Sequence, residues 1–232
     1  MSNSEAKNAI FASIRQSLAA SRPFDAAHQA HHGHQNSNRP ASVPTNLSKA
    51  DLIENFRSNL EFVGANFALV FDETEAAEIL LSIIKEKGAR KIAISDSPLV
   101  KKITGHLKID AEFVENAPAA TLFESDLGFT SAQSAIAETG TLVLESERER
   151  HRLASLVPPI HVCVLEARNI RQTLGEILEI LQTRPSRTIT FVTGASRTSD
   201  IELTLAIGVH GPGELHVILI DKEEIETTDK HK

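Results

Sequence analysis

At 232 residues, with 41% hydrophobic and 24% charged residues, the chain is long enough for one large domain or two small ones of ordinary globular composition. A net charge of −7 with no basic stripe argues against nucleic acid as a partner, and ten Phe without Trp or Tyr leave few platforms for base stacking. The single cysteine, Cys163, excludes an internal disulfide and a Cys-ligated zinc or iron–sulfur site within this chain.

The first predicted element is an amphipathic helix within residues 1–20. Ala6, Ile10, Ile14 and Leu18 recur every four residues and form one apolar stripe, with Phe11 beside it. Residues 21–47 read as a linker punctuated by Pro23, Pro40 and Pro44. It carries His28, His31, His32 and His34, but no ordered frame is expected there, so no metal site is assigned. No apolar run approaches the roughly 18 residues that span a bilayer, and no basic n-region precedes an apolar h-region. A cytoplasmic protein without a transmembrane segment is expected.

The body is predicted over residues 48–224, followed by a polar tail at 225–232. Ser48 and Asp51 resemble a capping box that opens a helix through Leu52, Ile53, Phe56 and Leu60. Phe67 to Phe71 reads as a strand. Thr74 opens a second helix that ends near Gly88. Lys91 to Ser95 is a strand, Pro98 begins a short helical turn, and Glu112 to Val114 is a further short strand. This alternation, with near-continuously apolar strands, predicts an α/β fold with a central, mainly parallel sheet flanked by helices. No GxGxxG follows the first strand and no GxxxxGKS/T occurs, so the dinucleotide and P-loop readings fail.

Three later stretches carry polar groups worth weighing. Glu138-Thr139-Gly140 sits between the apolar runs Ala135 to Ala137 and Thr141 to Leu144, which predicts a strand–turn–strand. It puts the Glu138 carboxylate and the Thr139 and Thr141 hydroxyls at a bend, either solvated or aimed into a cleft. His161 opens a strand, His161 to Leu165, after Pro158-Pro159. It is a core-edge histidine or a site residue. Ile170, Leu174, Ile177, Leu178 and Leu181 predict a helix that stops before Pro185.

The densest cluster lies in Gly194 to Pro212, between the apolar runs Thr188 to Val192 and His216 to Ile220. It holds Ser196, Arg197, Thr198, Asp200, Glu202 and His210. A guanidinium binds carboxylates bidentately, and backbone amides at a strand end before a short helix add anion-binding dipoles. The Arg197 loop is therefore expected to face an anion, with Asp200, Glu202 and His210 as support or proton carriers. For any single residue, capping or pairing explains it as well.

Four segments in order, AIAETGTLVL at 135–144, SLVPPIHVCVL at 155–165, GASRTSDIE at 194–202 and GVHGPGELHVILI at 208–220, resemble the LUD-domain family, and within it the lactate-utilization protein C subfamily. The resemblance implies a fold akin to the phosphosugar-isomerase and CoA-transferase class. It also implies a role in bacterial L-lactate oxidation to pyruvate, as a complex subunit beside iron–sulfur partner proteins that carry the clusters. No cofactor is expected in this chain. On this reading a small organic acid binds at Arg197 and Glu138, with Thr139, Gly140, Thr141, His161, Gly194, Ser196, Thr198, Asp200 and Glu202 around it. His210 would exchange a proton with the 2-hydroxyl. The alternative is an independent CoA-transferase- or sugar-phosphate-isomerase-like enzyme, with Glu138 as nucleophile or base.

Overall fold

The computed structural model describes residues 7, 11–13, 15, 16, 47–115, 118–146, 152–183, 185–199, 205–207 and 211–222. The chain divides into two compact units, Met1–Thr45 and Asn46–Lys232. In the first unit the described residues are helical, and the Lys7 ammonium stands 6.0 Å from the centroid of the Phe11 ring. The predicted stripe of Ala6, Ile10, Ile14 and Leu18 lies outside the described residues, as do the linker histidines.

The second unit begins with α1 (Lys49–Phe62), whose Ser48 hydroxyl accepts from Asp51 N at 3.2 Å and donates to Asp51 Oδ2 at 2.7 Å. The capping box therefore works with Asp in place of Glu. Next come β1 (Asn66–Val70), α2 (Glu73–Lys87), β2 (Lys91–Ile94), α3 (Pro98–Thr104), β3 (Glu112–Glu115), α4 (Ala119–Phe123) and β4 (Leu127–Ser131). The cap of α2 is Asp72, which takes the amides of Thr74 and Glu75. At its other end Gly88 adopts φ 64°, the left-handed conformation that closes a helix.

The remaining strands are β5 (Ser134–Ile136), β6 (Thr141–Glu145), β7 (Ile160–Glu166), β8 (Ile170–Arg171), β9 (Ile189–Val192), β10 (Arg197–Ser199), β11 (Leu205–Ile207) and β12 (Glu214–Ile220). The last helix, α5 (Leu174–Thr183), lies between β8 and β9. Six strands form a wholly parallel central sheet in the order β1-β12-β7-β4-β2-β3. A second, mixed sheet runs β8-β5-β6-β9.

Each face of the central sheet is covered. Val162, Val164, Ile218 and Ile220 pack on one side with Leu80 and Ile84 of α2 and Val100 and Ile103 of α3. The alternate residues Cys163, Leu165, Val217 and Leu219 pack on the other side with Phe56 and Leu60 of α1 and with Ala135, Leu142 and Ile170 of the second sheet. This period-two split explains why β7 and β12 are apolar at nearly every position. Cys163 is fully buried, an inert core thiol. No described helix is long and apolar enough to cross a membrane.

The structure departs from the sequence reading in two places. Ile170 belongs to β8, because Thr173 and Glu176 form a capping box that starts the helix at Leu174. After Gly194, β10 (Arg197–Ser199) pairs antiparallel with β11 (Leu205–Ile207), and the short helix expected after Thr198 falls on residues 200–204, outside the described residues. The second sheet itself, which takes the place of helices over part of one face, was not foreseen.

Candidate functional site

At the amino ends of β7 and β12 a half-open cavity of about 210 Å³ is bordered by three segments. Ser155 and Leu156 form one wall. Thr190 to Gly194 and Ser196 form a second, and Gly211 and Pro212 close it beside Leu215. Three predicted site residues, His161, Gly194 and Ser196, meet here.

His161 is the chemically active element of this cavity. Its register partners are Gly128 of β4 and Leu215 of β12, so it sits in the middle of the sheet and is only 1% exposed. Its Nε2 lies 2.8 Å from the Thr130 hydroxyl, itself fully buried. Its Nδ1 is buried without a hydrogen-bond partner. Desolvation pushes the imidazole pKa down to about 3, so the ring is neutral near pH 7. A neutral ring with one nitrogen committed offers the other as a hydrogen-bonding group. A buried polar atom of this kind calls for a ligand atom or water.

The rim is built from unusual backbone. Gly194 adopts φ 86° and packs against Val63 so closely that an added Cβ would stand 2.9 Å from the Val63 carbonyl oxygen. Ser196 N donates to Pro212 O at 2.8 Å, and Gly213 N donates to Pro159 O at 2.8 Å, which ties the loop to the strand entrance. The Ser196 amide is therefore committed and is not a free anion donor. Arg197 is exposed and donates from Nη2 to Val63 O at 2.7 Å. None of the described residues lining the cavity carries a formal charge.

The predicted turn is present: β5 and β6 pair antiparallel, and Gly140 adopts φ 63° at the bend. A hydroxyl chain connects this turn to the cavity wall. Thr139 and Thr141 Oγ1 lie 2.7 Å apart, and Thr141 and Thr193 Oγ1 also lie 2.7 Å apart. Glu138 Oε1 accepts from Leu174 N at 2.8 Å, at the start of α5. Among the described residues no ion pair joins Glu138 to Arg197. Helix α1 stands next to both motifs: Asn59 donates to Ala137 O, and Val63 receives Arg197. Thr198 belongs to β10. Asp200, Glu202 and His210 lie outside the described residues.

Sequence reasoning missed Thr193, Thr130 and Ser155. Thr193 follows the apolar run Thr188 to Val192 and precedes the polar cluster from Gly194, and Thr130 belongs to a strand that the sequence reading does not include. Only the three-dimensional register brings Thr130 to His161.

Comparison with known proteins follows from this architecture. The LUD domain profile matches residues 53–220. A protein of Deinococcus radiodurans named "Lactate utilization protein C" is 32% identical over 226 residues, covering 94% of this chain and 97% of that protein. A protein of the same name from Anoxybacillus flavithermus is 29% identical over 164 residues, covering 65% of this chain and 73% of that one. In structure, a crystallised DUF162 family protein of Deinococcus radiodurans superimposes with a TM-score of 0.59 at 24% identity, covering 75% of this chain and 99% of that one. That likeness supports the fold. The profile match spans most of the second unit, and the chain belongs to the LUD-domain family.

Proposed function

We propose that the protein serves L-lactate utilization as a subunit without a redox centre of its own, binding a small organic acid at the His161 cavity. The relatives named for lactate utilization support the pathway. The observation that carries the binding reading is His161, which lines a half-open cavity of about 210 Å³ and has a buried Nδ1 without a hydrogen-bond partner.

In this reading the neutral imidazole hydrogen-bonds the 2-hydroxyl or 2-oxo oxygen of the acid, and the Ser196 hydroxyl adds a second polar contact. A cavity without charged walls leaves the carboxylate at the mouth, and in this reading Arg197, whose Nη2 reaches the Val63 carbonyl beside Gly194, supplies the positive charge. With its pKa held near 3, His161 is a poor proton acceptor at neutral pH and is suited to orienting the ligand. Oxidation needs an electron acceptor, which we assign to iron–sulfur partner proteins. The CoA-transferase reading gains no support from Glu138, whose Oε1 is engaged by Leu174 N.

The pathway is tested by deleting the coding sequence and growing the cells on L-lactate as carbon source. Loss of growth, restored by the wild-type chain, is expected. Undiminished growth contradicts it. Affinity capture from lactate-grown cells is expected to co-purify iron–sulfur proteins.

A further inference from the structure

The carboxyl ends of the central strands form a crevice at the opposite edge of the sheet from His161. Two cavities, of about 450 Å³ and about 260 Å³, adjoin there and share Glu166 and Arg168. The topology explains the opening. From β2 the chain moves outward to β3 through α3, which packs on one face. From β4 it moves the other way, to β7, through the second sheet on the other face. The carboxyl ends of β2 and β4 thus flank a gap where connections diverge, the place where parallel α/β sheets receive ligands.

The groups at this gap are mostly hydrogen-bond donors. Ser131 at the end of β4 donates to the Ser97 hydroxyl at 2.8 Å, which leaves the Ser97 proton to be given elsewhere. Both serines are buried. The Asn169 carboxamide has no partner among the described residues. Arg168 sets Nε and Nη2 on Glu166 Oε2 at 3.1 and 2.6 Å, and Nη1 is left over. Glu166 thereby fixes the guanidinium plane at the crevice wall. In the larger cavity the charged lining residues are Arg168 and Glu166, whereas Lys49 and Lys222, which line the adjoining cavity, pair with Asp221 and with Glu73. An oriented guanidinium with hydroxyl and amide donors beside it matches an oxyanion.

We propose that this crevice is a second ligand site, distinct from the His161 cavity, which takes a small molecule bearing a carboxylate or phosphate group through Arg168, Ser97 and Asn169. The site does not depend on the lactate reading above.

The test uses the full chain, labelled with nitrogen-15, titrated separately with inorganic phosphate and with acetate. Saturable shifts of the Ser97, Ser131, Arg168 and Asn169 amides are expected with at least one probe. The probe that binds more tightly identifies the group recognised. Arg168→Gln, at an exposed position that does not threaten folding, is expected to weaken binding by about tenfold or more. Ser97→Ala is expected to weaken it less, and Ser196→Ala in the other cavity is expected to leave it unchanged. No saturable shift with either probe, or an Arg168→Gln chain that binds as tightly as wild type, overturns the proposal.

Discussion

The Thr141 hydroxyl stands 2.7 Å from the Thr193 hydroxyl, 52 positions along the chain. That contact joins two motifs that the sequence presents as separate, the Glu138-Thr139-Gly140 turn and the loop after β9. Thr141 is 5% exposed, whereas Thr139 and Thr193 are exposed. Replacing Thr141 with Val keeps the volume and removes the bridge. The two outer hydroxyls then hydrate, so the expected loss of stability is modest, about 1 kcal/mol. Urea unfolding of Thr141→Val measures it, and a loss above about 3 kcal/mol shows that the hydroxyl supports more than this chain.

Two glycines with similar dihedral angles are expected to behave differently. Gly88 closes α2 at φ 64° with open space where a Cβ would go. Gly88→Ala meets only left-handed strain, about 1–2 kcal/mol. Gly140 has φ 63°, but a Cβ there would stand 2.4 Å from Leu60 N in α1. Gly140→Ala must push the turn off α1 as well, and a loss of about 3 kcal/mol or more is expected. Thermal or urea unfolding of the pair checks the order.

Acid stability carries a signature of Glu73. Hydrogen bonds from Lys102 and then Lys222 hold its pKa near 2, below the ordinary 4.5. A carboxylate with a depressed folded pKa contributes stability that is present above pH 4.5 and is lost as pH falls towards 2. Both lysines are about half exposed, so the contribution is on the order of 1 kcal/mol after screening. Glu73→Gln is expected to lower stability at pH 7 and to flatten the decline between pH 4.5 and 2, read from unfolding curves across that range.

His161 acts in a higher window. Its folded pKa, about 3, lies below the ordinary 6.5, so between these values the unfolded chain binds a proton that the folded chain refuses. Stability therefore falls as pH drops below 6.5, and His161→Gln is expected to remove that part of the decline. By nitrogen-15 NMR the His161 ring is expected to stay neutral from pH 8 to 5. A ring that titrates near 6.5 contradicts the burial account.

Much of the α/β frame was legible because it depends on local chemistry. Ser48, Gly88 and the apolar runs of β1, β2, β7 and β12 mark their elements with caps and periodicity. Strand β4 was not legible: LGFTS mixes Gly, Thr and Ser with only two large apolar residues, although all five positions are buried. Its Gly128 is required because a Cβ there would stand 1.8 Å from the Ala154 carbonyl oxygen, a tertiary demand that local propensity does not show. The candidate site was legible in part. Polar density singled out His161, Gly194 and Ser196, which share a cavity. It also singled out Glu138, which holds the amino end of α5, and Arg197, which holds Val63 O. Residue type cannot separate a carboxylate that caps a helix from one that meets a ligand. The carboxyl-end crevice went unread because Ser97, Ser131 and Arg168 come from segments with no shared motif.

The claim that matters most is that the His161 cavity holds a small organic acid. Titration calorimetry of the full chain with L-lactate and with pyruvate tests it directly, against His161→Gln and Ser196→Ala. The account predicts saturable binding of at least one acid to the wild-type chain, weakened about tenfold by each substitution. An affinity that neither substitution alters, or a wild-type chain that binds neither acid, contradicts it.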